Sequence, residues 1–139
     1  MKTLLLAMVL FFAMAIPAFA QNEPVKVKPL LLYTQSEGGD TTPWYNPGNT
    51  IYVGMVREAK GCGSYKNRIE ILNSKGILIQ RIKFGNWSVC NSTFEGMTEI
   101  EGLGPAPETG YYTIRAVYVD LVSGNTWSHQ TKIHVIPID

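Results

Sequence analysis

The chain has 139 residues, with 12 lysines and arginines against 11 aspartates and glutamates, a formal net charge of +1. It holds no long basic run, so composition argues against nucleic-acid binding and against polybasic attraction to a membrane surface. One domain of ordinary size accounts for the length, and such a domain buries a sizeable core without a metal.

The first segment is read as a targeting signal. Lys2 gives a positive start, residues 4–16 are an unbroken apolar run, and Pro17 ends it. Ala18-Phe19-Ala20 then forms a small-x-small cleavage site before Gln21. These three parts predict a secretory signal peptide over residues 1–20 and a working domain over 21–139. A membrane-spanning helix needs about 20 apolar residues, and this run is shorter. No second apolar stretch is long enough to span. The expectation is a secreted, periplasmic or cell-surface protein with no transmembrane segment in its mature chain.

Beyond residue 20, turn signals alternate with β-branched and aromatic runs, and no stretch has a convincing helical period. The first predicted strand covers residues 25–35. Pro29 in its middle suits an edge strand or one that switches sheets. A long turn-rich loop follows, ending at Pro47-Gly48, a pair suited to a type II turn. Residues 50–57 form the next strand, with Ile51, Val53 and Met55 on one face. Gly61-Cys62-Gly63-Ser64 reads as a loop. In residues 66–72, Ile69 and Ile71 oppose Arg68 and Glu70. Asn73-Ser74-Lys75-Gly76 then makes a hairpin connection, with Gly76 in the left-handed position.

Residues 77–84, 87–94 and 97–103 are three further strand candidates, the inward face of the first being ambiguous. Residues 104–108, Gly-Pro-Ala-Pro-Glu, form a stiff loop. Residues 111–120 are the strongest strand, with Tyr112, Ile114, Ala116 and Tyr118 on one face. Ser123-Gly124-Asn125 turns the chain into a last strand over 126–137, where Trp127, Ile133 and Val135 are in phase. The sum is an all-β chain, an antiparallel β-sandwich of about seven or eight strands.

Cys62 and Cys90 make an even count in an exported protein, which predicts a structural disulfide. It would tie two loops and contribute roughly 3–4 kcal/mol by the chain-entropy model. No C-x-x-C spacing supports a redox role.

Three stretches carry a family resemblance. Tyr45-Asn46-Pro47-Gly48-Asn49-Thr50-Ile51-Tyr52-Val53 resembles the Y-x-P-G-x-T-V-x-V opening of macroglobulin-like domains and related prokaryotic surface modules. Ile69-Glu70-Ile71 with Asn73-Ser74-Lys75-Gly76 looks like their V-x-I-x-D-x-x-G hairpin. Gly110-Tyr111-Tyr112-Thr113-Ile114-Arg115-Ala116 looks like their G-x-Y-x-I-x-A strand. Together these span residues 45–137. The resemblance implies an immunoglobulin-like sandwich and no chemistry. The large macroglobulins trap proteases with many such domains and usually a Cys-Gly-Glu-Gln thioester. This chain has one domain and lacks that tetrapeptide, so protease trapping is not implied.

Catalytic and metal constellations find little support. His129 and His134 are five apart on one predicted strand, so they face opposite ways and share no metal. No serine sits in a Gly-x-Ser-x-Gly turn. Glu95, Glu99 and Glu101 are the one acidic cluster, and solvated strand charges explain them. No cofactor is implied and no enzyme activity is expected.

Aromatic residues are the candidate binding groups. Trp44 and Tyr45 lie in the turn-rich loop, and Trp87 lies near the second cysteine. Rings on loops of a rigid scaffold can stack on a sugar or anchor a protein, and equally can cap the ends of a core. Asn86-Trp87-Ser88 and Asn91-Ser92-Thr93 match the N-glycosylation pattern. The expected function is a non-catalytic binding module for a protein or carbohydrate ligand. Its alternatives are a carbohydrate-binding module using Trp44, Tyr45 and Trp87, and a small inhibitor of a secreted protease using the 104–108 loop.

Overall fold

The computed structural model describes residues 23–101 and 109–137. The leader over 1–20 and the proline loop over 104–108 lie outside the described residues. Six strands follow in order: β1 (Lys26–Gln35), β2 (Trp44–Tyr45), β3 (Thr50–Leu72), β4 (Leu78–Glu101), β5 (Gly110–Asp120) and β6 (Thr126–Val135). There is no helix among the described residues.

The spine is a hairpin of two long strands, β3 with 23 residues and β4 with 24. They pair antiparallel from Thr50 opposite Glu101 to Leu72 opposite Leu78. The other edge of β3 is shared. β1 pairs with its first half, from Lys26 opposite Lys60 to Gln35 opposite Tyr52. β5 pairs with its second half, from Tyr65 opposite Asp120 to Leu72 opposite Thr113. β6 extends β5, and the short β2 adds to β6 in parallel. The result is one curled, mixed sheet, a half-barrel in which β1 comes round to face β6.

Two sequence expectations are corrected here. Among the described residues the strands number six, and the sheet is mixed, because β2 runs parallel to β6. Gly61-Cys62-Gly63-Ser64 was expected to be a loop, and 77–84, 87–94 and 97–103 separate strands; instead the chain bends within two continuous strands, β3 and β4. The β3–β4 register shifts between Ala59 and Cys62, where Gly61 has φ 97° and Asn91 has φ 43°. The Asn91 carboxamide oxygen accepts the Gly61 amide at 2.8 Å, holding the bulge. A second shift lies between Lys66 and Arg68 on β3, opposite the stretch of β4 that holds Gly85. A bulge sharpens twist and bend without ending the ladder, so turn-like composition survives inside a strand.

Side-chain alternation puts the core inside the curl. Ile51, Val53, Met55, Ile69 and Ile71 of β3 meet Tyr112, Ile114, Ala116 and Tyr118 of β5 and Ile133 and Val135 of β6. Val27 and Leu32 of β1 close it. Over residues 77–84 the ambiguity resolves: Ile82 and Phe84 pack on the core, while Ile77, Leu78 and Ile79 are exposed. Burial pushes the Tyr118 hydroxyl up to about 12, with the neighbouring Tyr65 adding to the shift. Arg57 is buried beside them. Its Nε donates to the Tyr65 hydroxyl at 2.6 Å, and its guanidinium lies 4.9 Å from the centre of the Phe94 ring.

The N-terminal segment straps the bend of β3. Glu23 N–H donates to the Cys62 carbonyl at 3.1 Å. A side chain on Gly63 would collide with the Glu23 carbonyl oxygen, so this crossing needs glycine there.

Cys62 and Cys90 are register partners joined by a disulfide. The bond therefore links two strands at their bend rather than two loops. It suits an oxidising, extracytoplasmic compartment. No helix among the described residues is long and apolar enough to cross a membrane.

Candidate binding face

The outer surface of β2, β6 and β5 carries a row of rings. β2 is two residues long, and alternation turns Tyr45 inward and Trp44 outward. Tyr45 is 3% exposed and its hydroxyl donates to the Thr42 carbonyl at 2.9 Å. Backbone bonds clamp the strand in place: His134 N–H donates to the Pro43 carbonyl at 2.7 Å, and Ile136 N–H to the Tyr45 carbonyl at 2.8 Å. Trp44 then stands opposite His134, and His134 opposite Tyr111 on the far side. The Trp44 and His134 ring centres are 5.0 Å apart, tilted by 53°. Tyr111 stacks on His134 at 4.1 Å with planes 12° apart. Trp44 is 53% and Tyr111 55% exposed. Three rings from three adjacent strands thus form one open shelf.

The same face turns basic along the strands. Two residues on from the row, Lys132 stands opposite Thr113. Two further on, Arg115 is opposite Glu70, which is opposite Arg81 on β4. Glu70 is buried to 4% and is the hub of three guanidiniums. Arg81 and Arg115 reach it at 3.0 Å each, and Arg68 at 3.3 Å. Burial pushes the Glu70 carboxyl up, but hydrogen bonds from Arg81 and Arg115 and the charge of Arg68 outweigh it and hold the carboxyl below its usual value. Where the second bulge opens the β3–β4 ladder, a recess of about 370 Å³ is lined by Lys66, Asn67, Arg68, Arg81, Lys83 and Phe84.

The three ring residues singled out in the sequence do not share a surface. Trp44 is on the open shelf and Tyr45 is in the core. Trp87 lies on β4 opposite the buried Tyr65, so it faces into the curl, partly buried against Phe94 with ring centres 5.2 Å apart. The two histidines do face opposite ways, His129 opposite the buried Ala116 and His134 opposite the exposed Tyr111. Among the described residues no three His, Cys, Asp or Glu side chains are grouped to hold a metal ion.

Tyr111, His134 and the cationic recess escaped the sequence reading. Alternation did put Tyr111 on the face of Thr113 and Arg115, opposite the core. The pairing of β2 with β6, which brings Trp44 alongside, left no local signal.

No protein-family model and no curated protein matches the chain. Solved structures do match its fold. The C-terminal domain of Wzt superposes with a TM-score of 0.66 at 14% identity, over 79% of this chain and 73% of that one. The DNA glycosylase AlkC of Pseudomonas fluorescens gives 0.61 at 13% identity, over 78% of this chain and 30% of that one. This chain therefore spans under a third of the glycosylase. A CARDB domain from Pyrococcus furiosus gives 0.50 at 15% identity, over 83% and 91%. At these identities the likeness concerns small β-domain architecture alone.

Proposed function

We propose that this chain is an extracytoplasmic binding module of immunoglobulin-like kind, secreted, periplasmic or at the cell surface, that acts without catalysis and takes a carbohydrate. The observation that supports this reading is the Trp44–His134–Tyr111 row. Exposed aromatic rings cost free energy in water unless something covers them, and a sugar ring presents the flat, weakly polar C–H face that stacks on them. The row is held by strand ladders, so little ordering is required on binding.

Affinity electrophoresis of the folded protein through gels containing a panel of polysaccharides tests the reading. At least one polymer should retard the wild type, and Trp44→Ala and Tyr111→Ala should both migrate faster in it. If no polymer in a broad panel retards the wild type, the reading fails.

The free edge of β4 favours a second reading. Its 24 residues pair only with β3 among the described residues. An edge of that length can accept a strand from a protein partner.

A further inference from the structure

We infer that the glycan is a polyanion, whose carboxylate, sulfate or phosphate groups sit in the recess farther along the strands from the ring shelf. The inference rests on the carbohydrate reading above and adds the charge of the ligand.

The sign of the face carries the argument. The whole chain is nearly neutral, with 12 basic and 11 acidic side chains. Yet the outward positions of β3, β4, β5 and β6 along this face hold Lys66, Arg68, Arg81, Lys83, Arg115 and Lys132. Along the stretch where β3 pairs with β5, Glu70 is the one acid among the described outward residues and can cancel one charge only; Glu58, Glu95 and Glu99 lie on the other half of the β3–β4 hairpin. A cluster of like charges raises self-repulsion and is stabilised by a bound counter-charge.

Geometry adds to the sign. The recess is concave, and four of its six lining residues are cations. Glu70 holds three guanidiniums from one side at 3.0–3.3 Å, while their side chains stay 34–42% exposed. Each guanidinium has five N–H donors, so donors remain for an incoming anion, already fixed in direction. A pre-oriented fork loses less freedom on binding than a free one.

Distance sets the size of the ligand. Tyr111 is on the ring row, and Val117, opposite Arg68 of the recess, is six residues along the same strand. At about 3.4 Å per residue that is about 20 Å. A single sugar cannot touch both, whereas a chain of several can lie along the strands. Rings would give grip on the sugar faces, and the recess would select for charge.

The test compares polymers that differ only in charge: polygalacturonate with its fully methyl-esterified form, and dextran sulfate with dextran. Duplex DNA serves as a polyanion without sugar faces to stack. The folded wild type should bind at least one acidic polymer about tenfold or more tighter than its neutral parent, and raising salt from about 0.05 to about 0.5 M should remove most of that gap. Whichever acid is preferred separates carboxylate from sulfate. Lys66→Gln combined with Lys83→Gln should close the gap; both side chains are exposed, so folding should persist. Trp44→Ala should weaken the acidic and neutral polymers alike.

Equal, salt-insensitive binding of acidic and neutral polymers would overturn the inference and leave the carbohydrate reading standing. DNA held as tightly as the acidic glycans, with no effect of Trp44→Ala, would overturn both. No binding of any polymer would overturn the carbohydrate reading itself, and the inference with it.

Discussion

The amide of Val25 donates a buried hydrogen bond of 2.9 Å to Oδ1 of Asp120, across 95 residues of sequence. This bond ties the entry of β1 to the end of β5, joining the two strands that share one edge of β3. Asp120 is fully buried, and its other oxygen accepts the Ser123 amide at 2.7 Å. Burial alone would raise its carboxyl. The bonds from Ser123, Val25 and Val122 outweigh that and hold it below the usual value.

Asp120→Asn should therefore cost about 2–4 kcal/mol at neutral pH, because Nδ2 would meet donors where Oδ2 accepted them. The pH dependence follows from the lowered carboxyl. Its stabilisation is complete above the unfolded value near 4 and is lost as pH falls through the lower folded value. Urea melts from about pH 7 to about pH 2 should show the wild type weakening below about pH 4, and the variant weakening less. Parallel acid limbs would refute this role.

Glu70→Ala removes the counter-charge from three guanidiniums. Stability should drop by about 2–4 kcal/mol, since the removal leaves charges packed without a partner. Salt screens the repulsion, so the deficit should shrink in about 0.5 M sodium chloride. A deficit independent of salt would mean that lost packing, not charge, is responsible.

The Cys62–Cys90 bond closes a separation of 28 residues. Cys62→Ser with Cys90→Ser should lower stability by about 3–4 kcal/mol. Thiol titration of the denatured, unreduced wild type should find no free thiol. Two free thiols would contradict the bond.

Two glycines of β3 separate rigid from yielding neighbours. At Gly63 an added methyl meets the backbone oxygen of Glu23, and at Gly54 it meets the ring of Tyr33. Gly63→Ala should cost about 3 kcal/mol or more, because backbone must shift. Gly54→Ala should cost less, since the Tyr33 ring can swing aside at the expense of its exposed 2.9 Å bond to Glu95. Chemical denaturation of both variants orders them.

Trp44 and Trp87 should separate binding from stability. Trp44→Ala should change stability by about 0.5 kcal/mol or less and weaken glycan binding by about 2 kcal/mol. Trp87→Ala should cost about 2–3 kcal/mol of stability, less than a fully buried ring, with binding unchanged. A large stability loss for Trp44→Ala would place its ring in the core instead.

Strand faces were legible where alternation is strict. Ile51, Val53 and Met55, Ile69 and Ile71, and Tyr112 through Tyr118 all point as their period of two requires. The hairpin turn was legible because Gly76 takes φ 77° and the Asn73 side chain accepts the Lys75 and Ile77 amides. Strand continuity was not. Gly61 and Gly85 carry the composition of a loop, and only pairing across the hairpin decides that the ladder survives them. The candidate face was legible least of all. Lys66, Arg81, Arg115 and Lys132 are spread over half the chain, and register alone gathers them. Trp44 was singled out as a candidate, but its neighbours Tyr111 and His134 come from strands that sequence spacing does not connect to it.

The shape of the β3–β4 hairpin also bears on how the chain folds. Its two strands adjoin in sequence across a short turn, so their contacts nearest the turn close at small loop entropy. β1 and β5 both need β3 as a template, and neither can pair with it before it exists as a strand. Folding is then expected to proceed outward from the turn near Gly76, with the flanking strands docking afterwards. On that order the turn and the adjoining Ile69–Ile82 pairing would form the nucleus, and substitutions there should act mainly on the folding rate. The Val25–Asp120 bond closes across 95 residues, so on this order it should form late, and its removal should speed unfolding more than it slows folding, which chevron kinetics of Asp120→Asn would measure.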